Sequence, residues 1–178
     1  MSRLSLIAAT MAVCLSAEII ELTPTEAYEK QKAGAVVIDV RTPEEYYYIG
    51  HAPGHINIPF YFLQLELLPV EKRIQLADVE KKFSRPMTPT STYKQQQIPN
   101  AELAVETLKA VKGNKEQEVI LICKGGERSK AAGKILEEAG FKKVYSVKGG
   151  FEGPSNRKEF NKHNIGGWKN SEGLPWGL

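Results

Sequence analysis

The sequence predicts an α/β fold, a central parallel sheet of about five strands with helices on both faces. Three observations carry that expectation. Residues 35–40 and 119–122 are short, almost unbroken runs of aliphatic and β-branched residues, the pattern of strands covered on both sides. Thr23-Pro24-Thr25-Glu26 and Thr42-Pro43-Glu44-Glu45 both read as capping boxes with proline in the first turn, and so as helix starts. Strand-like and helix-like segments alternate along the chain, and no internal repeat or second core is visible.

Taken in order, residues 18–22 read as a short edge strand. The first capping box opens a helix to about residue 32, and Gly34 ends it. Strand 35–40 follows. The second box opens a short helix to Ile49, stopped by Gly50. Residues 56–59 are a brief strand after His51-Ala52-Pro53-Gly54. Residues 61–83 show helical periodicity interrupted by Pro69 and predict a helix. Residues 84–99 hold Pro86, Pro89 and Pro99 among Ser, Thr and successive glutamines, and predict an exposed, mobile loop. Asn100 is expected to cap the next helix, with Leu103, Ala104, Thr107, Leu108 and Val111 on one face and Gly113 at its end. Residues 119–122 form the expected central strand. Residues 129–139 read as a helix capped by Ser129 and closed by Gly140. Residues 144–147 are the last strand, after which Gly149-Gly150-Phe151 turns the chain into a tail rich in Gly, Asn and Lys.

A chain of 178 residues suits one domain with a substantial core. The formal charge of +3 is mild, and no block of Lys and Arg reads as a nucleic-acid arm. Residues 1–17 carry early positive charge, an apolar stretch and the small residues Ser16-Ala17, and read as a secretory signal peptide too short for a membrane span. Leu15 fits that pattern poorly, and an uncleaved anchor or a lipid on Cys14 are the alternatives. The expectation is an exported protein, periplasmic or secreted, with residues 18–178 as its domain, an insertion at 61–99 and a tail at 152–178.

Once Cys14 leaves with the signal peptide, Cys123 is the remaining cysteine and has no intramolecular partner. It follows an apolar strand and opens Lys124-Gly125-Gly126-Glu127-Arg128-Ser129, a glycine turn into a helix. Backbone N–H groups at a helix N-terminus attract anions and favour thiolate over thiol. The alternative is a buried inert cysteine. Gly125 and Gly126 are expected to take positive φ and bring backbone close to an exposed sulfur. Lys124 offers a cation at the mouth, whereas Lys130, Lys134, Lys142, Lys143 and Lys148 read as a solvated face. Glu127 sits badly near an anion unless it points to solvent or pairs with Arg128 or a lysine. Arg128 either pins the loop or binds the charged end of a substrate. No metal-ligand spacing and no phosphate-binding glycine loop is present, so no metal or cofactor is expected.

Several segments in one order resemble the rhodanese domain family. They are Val37-Ile38-Asp39-Val40-Arg41, Glu44-Glu45-Tyr46, residues 50–59, residues 123–129, Glu137-Glu138-Ala139-Gly140-Phe141, Val144-Tyr145, Lys148-Gly149-Gly150-Phe151 and Gly173-Leu174-Pro175-Trp176. The resemblance implies a sulfurtransferase. Cys123 would attack the outer sulfur of thiosulfate or polysulfide, carry it as a persulfide, and pass it to a thiophilic acceptor. Partners would be small sulfur-containing anions and a thiol protein as acceptor. Lys124, Gly125, Gly126, Glu127, Arg128, Ser129 and Arg41 would form the binding set, with Asp39 as support. Asp39 is expected to hydrogen-bond loop backbone, while Arg41 either joins the anion site or makes an ion pair. His51 and His55, in a Gly/Pro-rich turn, are read as hydrogen-bonding residues.

Two other readings stand beside this one. Cysteine phosphatases and arsenate reductases of related fold carry five residues between Cys and Arg, whereas four separate Cys123 from Arg128. The other is a non-catalytic module: a pure binding module that keeps Cys123 would need a blocked pocket, whereas a sulfur carrier would still form the persulfide. The insertion bears on that question, as do Phe160, Trp168 and Trp176, which either pack over the core or form a docking surface.

Overall fold

The computed structural model describes residues 18–83, 93–156, 159 and 162–178. Five strands form one parallel sheet in the order β1-β7-β6-β2-β3. They are β1 (Ile20–Leu22), β2 (Val36–Asp39), β3 (Ile56–Asn57), β6 (Val119–Ile122) and β7 (Val144–Val147). The buried run 119–122 takes the middle place, where both faces and both edges are covered. Because neighbouring strands are parallel, β2 and β6 leave the sheet on the same side. The Val40 N–H donates to the Ile122 carbonyl at 2.8 Å and holds the two exits together.

Helices cover both faces. Side-chain alternation sends Ile38, Val40, Val119, Leu121 and Cys123 to one face, under α4 (Leu103–Ala110) and α5 (Glu127–Glu138). Val37, Ile120, Ile122 and Val147 point the other way, toward α1 (Pro24–Lys32). That second face is completed by the tail. Trp168 is fully buried there, edge-on to Tyr28, and its indole N–H donates to the Pro175 carbonyl. Removing an indole from such a site costs about 3–5 kcal/mol. Trp168 therefore serves the core, whereas Trp176 stays half-exposed against Phe151. Phe160 lies outside the described residues, as do the proposed signal peptide and Cys14.

Both capping boxes form. Thr23 caps α1, and Thr42 caps α2 (Pro43–Ile49), each with its glutamate reaching back to the threonine N–H. Two other expected caps differ. Glu102 precedes α4, and Asn100, two residues earlier, donates to the Pro59 carbonyl instead. Helix α5 begins at Glu127, with Gly126 as its N-cap, so Ser129 lies inside the first turn and does not cap it.

Residues 61–99 depart most from expectation. Residues 61–67 are a strand, β4 (Tyr61–Leu67), and the helix α3 (Val70–Phe83) starts only beyond Pro69. In Leu63-Gln64-Leu65-Glu66-Leu67 apolar and polar residues alternate with period two, a strand signal. The proline-bearing segment contributes β5 (Tyr93–Pro99), antiparallel to β4 in a separate two-stranded sheet. Residues 84–92 of the expected loop lie outside the described residues. Phe62, Leu65, Leu67, Tyr93 and Ile98 stay exposed on this arm, which is why its composition reads as surface.

Candidate active site

The Cys123 thiol sits one residue past β6, beside the first turn of α5. Gly126 takes φ +111°, a conformation side chains rarely adopt, and its N–H donates to Sγ at 3.1 Å. Gly125 does not take positive φ, contrary to expectation, and a Cβ there would meet only the Gly153 carbonyl at 3.9 Å. The turn therefore needs one special glycine.

The side chain itself is 1% exposed, which corrects the expected open thiol. It is not sealed in. A pocket of about 260 Å³ reaches it, lined by Cys123, Lys124, Gly125, Glu127, Arg128 and His163. A larger cavity of about 450 Å³, between Pro24, Gly149 and Ser171, has no cysteine among its lining residues. Behind the thiol, Ser129 Oγ lies 3.5 Å from Sγ, donates to the Gly126 carbonyl and meets Ser146 Oγ at 2.8 Å. Ser129 thus backs the Cys123 thiol, and Ser146 on β7 backs Ser129. No local signal in the sequence marked Ser146.

The loop is clamped from β7. Phe151 and Glu152 N–H groups donate to the Cys123 and Lys124 carbonyls at 2.7 and 3.0 Å. A Cβ on Gly150 would collide with both of those carbonyls. Gly150 is therefore required by close backbone approach, and the Gly149-Gly150 pair was its visible trace.

The charged residues separate into two groups. Arg128 makes a two-pronged pair with Glu45, at 2.6 and 2.8 Å, which ties α5 to α2. Burial works to raise the Glu45 carboxyl, but the Arg128 hydrogen bonds and charge outweigh it and hold the group below the usual carboxylate range. The same pair raises Arg128 against the opposing effect of burial. Arg128 thus pins the loop while lining the pocket, and Glu127 is left exposed at the rim. Lys124 is half-buried at the mouth and has no ion-pair partner among the described residues.

Arg41 does not reach this pocket. Its guanidinium is fully buried, bonded to both Asp39 carboxylate oxygens and to the Gly50 carbonyl, and lies 4.0 Å over the Phe151 ring. Asp39 Oδ1 also accepts the Arg41 N–H. The pair is scaffold, and Arg41 leaves the proposed binding set. His55 lies nearby, buried edge-on to Trp168, and burial, with the Arg41 charge and then His51 adding to it, lowers its pKa to about 3. His51 stacks on Tyr46. Neither histidine lines the thiol pocket. His163, which the sequence did not single out, does.

A family profile described as Rhodanese-like domain matches residues 23–156. A thiosulfate sulfurtransferase, GlpE, of Actinobacillus pleuropneumoniae serotype 3 (strain JL03) is 53% identical over 38 residues, which are 21% of this chain and 35% of that relative. The chain thus spans about a third of the length of that curated relative. The crystal structure of Rv0390 from M. tuberculosis superposes with a TM-score of 0.58 at 21% identity, over 90% of this chain and 98% of that one. That likeness is one of fold.

Proposed function

The chain belongs to the rhodanese-like domain family, and from that membership we propose that it is a sulfurtransferase working through a persulfide on Cys123. The Cys123 thiolate attacks the outer sulfur of thiosulfate. A bond forms between Sγ and that sulfur, the S–S bond of the donor breaks, and sulfite leaves with the electron pair. With polysulfide the leaving group is the shortened chain. A thiophilic acceptor then attacks the outer sulfur, and the pair from the Sγ–S bond returns to Cys123.

One observation carries this reading, a free thiol at the floor of a pocket with a backbone N–H aimed at its sulfur at 3.1 Å. The helix α5 adds its N-terminal dipole, which favours negative charge on thiolate and persulfide alike. Lys124, without an ion-pair partner among the described residues, supplies the cation that draws an anionic donor to the mouth. The identity shared with the thiosulfate enzyme supports the donor class. The phosphatase alternative is disfavoured by the Arg128–Glu45 pair, because a phosphate cradle needs its arginine turned onto the anion.

The test is intact-mass measurement after thiosulfate or polysulfide. The expected result is a gain of about 32 Da that disappears on adding cyanide or sulfite. Cys123→Ser should abolish the gain entirely and leave the fold intact. A wild-type protein that takes up no sulfur would refute the proposal, as would a serine variant that does.

A further inference from the structure

We infer that His163 is the base that serves a thiol acceptor in the second half of the reaction, an inference that rests on the sulfurtransferase reading above. His163 belongs to the tail, far from the thiol loop in sequence, yet it lines the same pocket as Cys123. Its Nδ1 lies 2.6 Å from the Gly153 carbonyl. A carbonyl only accepts, so Nδ1 carries hydrogen, and the lone pair of the neutral ring is on Nε2. The other polar groups of the pocket do not match this role. Lys124 and Arg128 are cations without a lone pair, Arg128 is committed to Glu45, and the Glu127 carboxylate is a weaker base than an imidazole.

The two half-reactions differ in their need for a base. Thiosulfate, polysulfide and the sulfite dianion bring or leave with an electron pair and have no proton to lose. An alkyl thiol must lose one before it can attack. In the proposed step the acceptor S–H proton passes to His163 Nε2. The acceptor sulfur bonds to the outer persulfide sulfur, the bond from that sulfur to Cys123 Sγ breaks, and Cys123 keeps the electron pair as thiolate. The new persulfide leaves on the acceptor and recovers a proton from Nε2. No oxidant or reductant is consumed. The pocket is thereby suited to a thiol acceptor as the outlet for sulfur.

The experiment loads the full-length protein with sulfur from thiosulfate and follows discharge by mass at about pH 8, where sulfite is mostly the dianion and an alkyl thiol is still mostly protonated. Three acceptors are compared: sulfite, an alkyl thiol such as 2-mercaptoethanol, and an aromatic thiol already ionised at that pH. His163→Asn keeps a donor for the Gly153 carbonyl while removing the base, and His163→Gln serves as a second variant. Both should load normally, which reports an intact fold. Discharge by the alkyl thiol should slow about 100-fold, the scale of general-base catalysis. Discharge by sulfite and by the aromatic thiolate should change less than about twofold on the same reasoning. Equal slowing with all three acceptors would assign His163 to the pocket wall only and overturn the inference, as would no slowing with any. A wild-type protein that never loads overturns the sulfurtransferase reading and this inference together; loading followed by acceptor-independent discharge overturns this inference alone.

Discussion

Two loops leave adjacent strands on the same side of the sheet, and they treat charge in opposite ways. The exit of β2 carries Asp39, the last strand residue, and Arg41 just beyond it, both fully buried and bonded to each other, with a backbone carbonyl and an aromatic ring completing the surroundings. The loop after β6 carries Cys123, with one N–H on its sulfur and a pocket above it. The first loop spends its polar groups on itself and so becomes rigid scaffold. The second keeps donors and a cation turned toward a site where charge can develop. An arginine beside a nucleophile is thus no evidence of substrate binding until its partners are known. Arg128 lies between the two cases, pinned by Glu45 but still lining the pocket.

This contrast predicts that stability and chemistry can be separated. Asp39→Ala leaves Arg41 buried without its counter-charge, and should cost about 3–5 kcal/mol. The check is the urea midpoint, with persulfide formation per folded molecule unchanged. A variant that unfolds at the wild-type midpoint would show that the pair is dispensable. Within the thiol loop the effect should reverse. Gly126→Ala forces a side chain into φ +111° and should cost about 1–2 kcal/mol of loop geometry, read as roughly tenfold slower sulfur uptake. Gly125→Ala, with ordinary φ and space for a Cβ, should slow uptake less. Equal effects at the two positions would show that the amide of Gly126 is not the group that matters.

The smallest effect concerns pH. His55 is held neutral in the folded protein, with its pKa lowered to about 3, whereas an unfolded histidine titrates near 6.5. Between those values the unfolded chain binds more protons than the folded one, so stability falls as pH drops below about 6.5. From pH 7 to 6 the loss should be under about 1 kcal/mol. His55→Asn should flatten that slope in a series of urea melts, and an unchanged slope would assign it to other groups. Glu45 acts later. Its lowered pKa gives stability that is present above the ordinary carboxylate range and is lost as pH falls through the folded value.

The sequence alone determined the parallel sheet, the starts of α1 and α2 and the place of the Cys123 thiol. These rest on short-range rules: the runs at 36–39 and 119–122 hydrogen-bond as covered strands, and Thr23 and Thr42 cap through contacts three residues away. Even short-range rules failed where the period was misjudged, as at Tyr61–Leu67, because the alternation there is short and runs into the helical pattern beyond Pro69. Only the tertiary structure decided what each charged or polar group does. Arg128 meets Glu45 across 83 residues, Ser146 backs Ser129 from another strand, and His163 reaches the pocket from the tail. Such partners are chosen by which chain ends the sheet brings together, and a side chain carries no local mark of the group it will face.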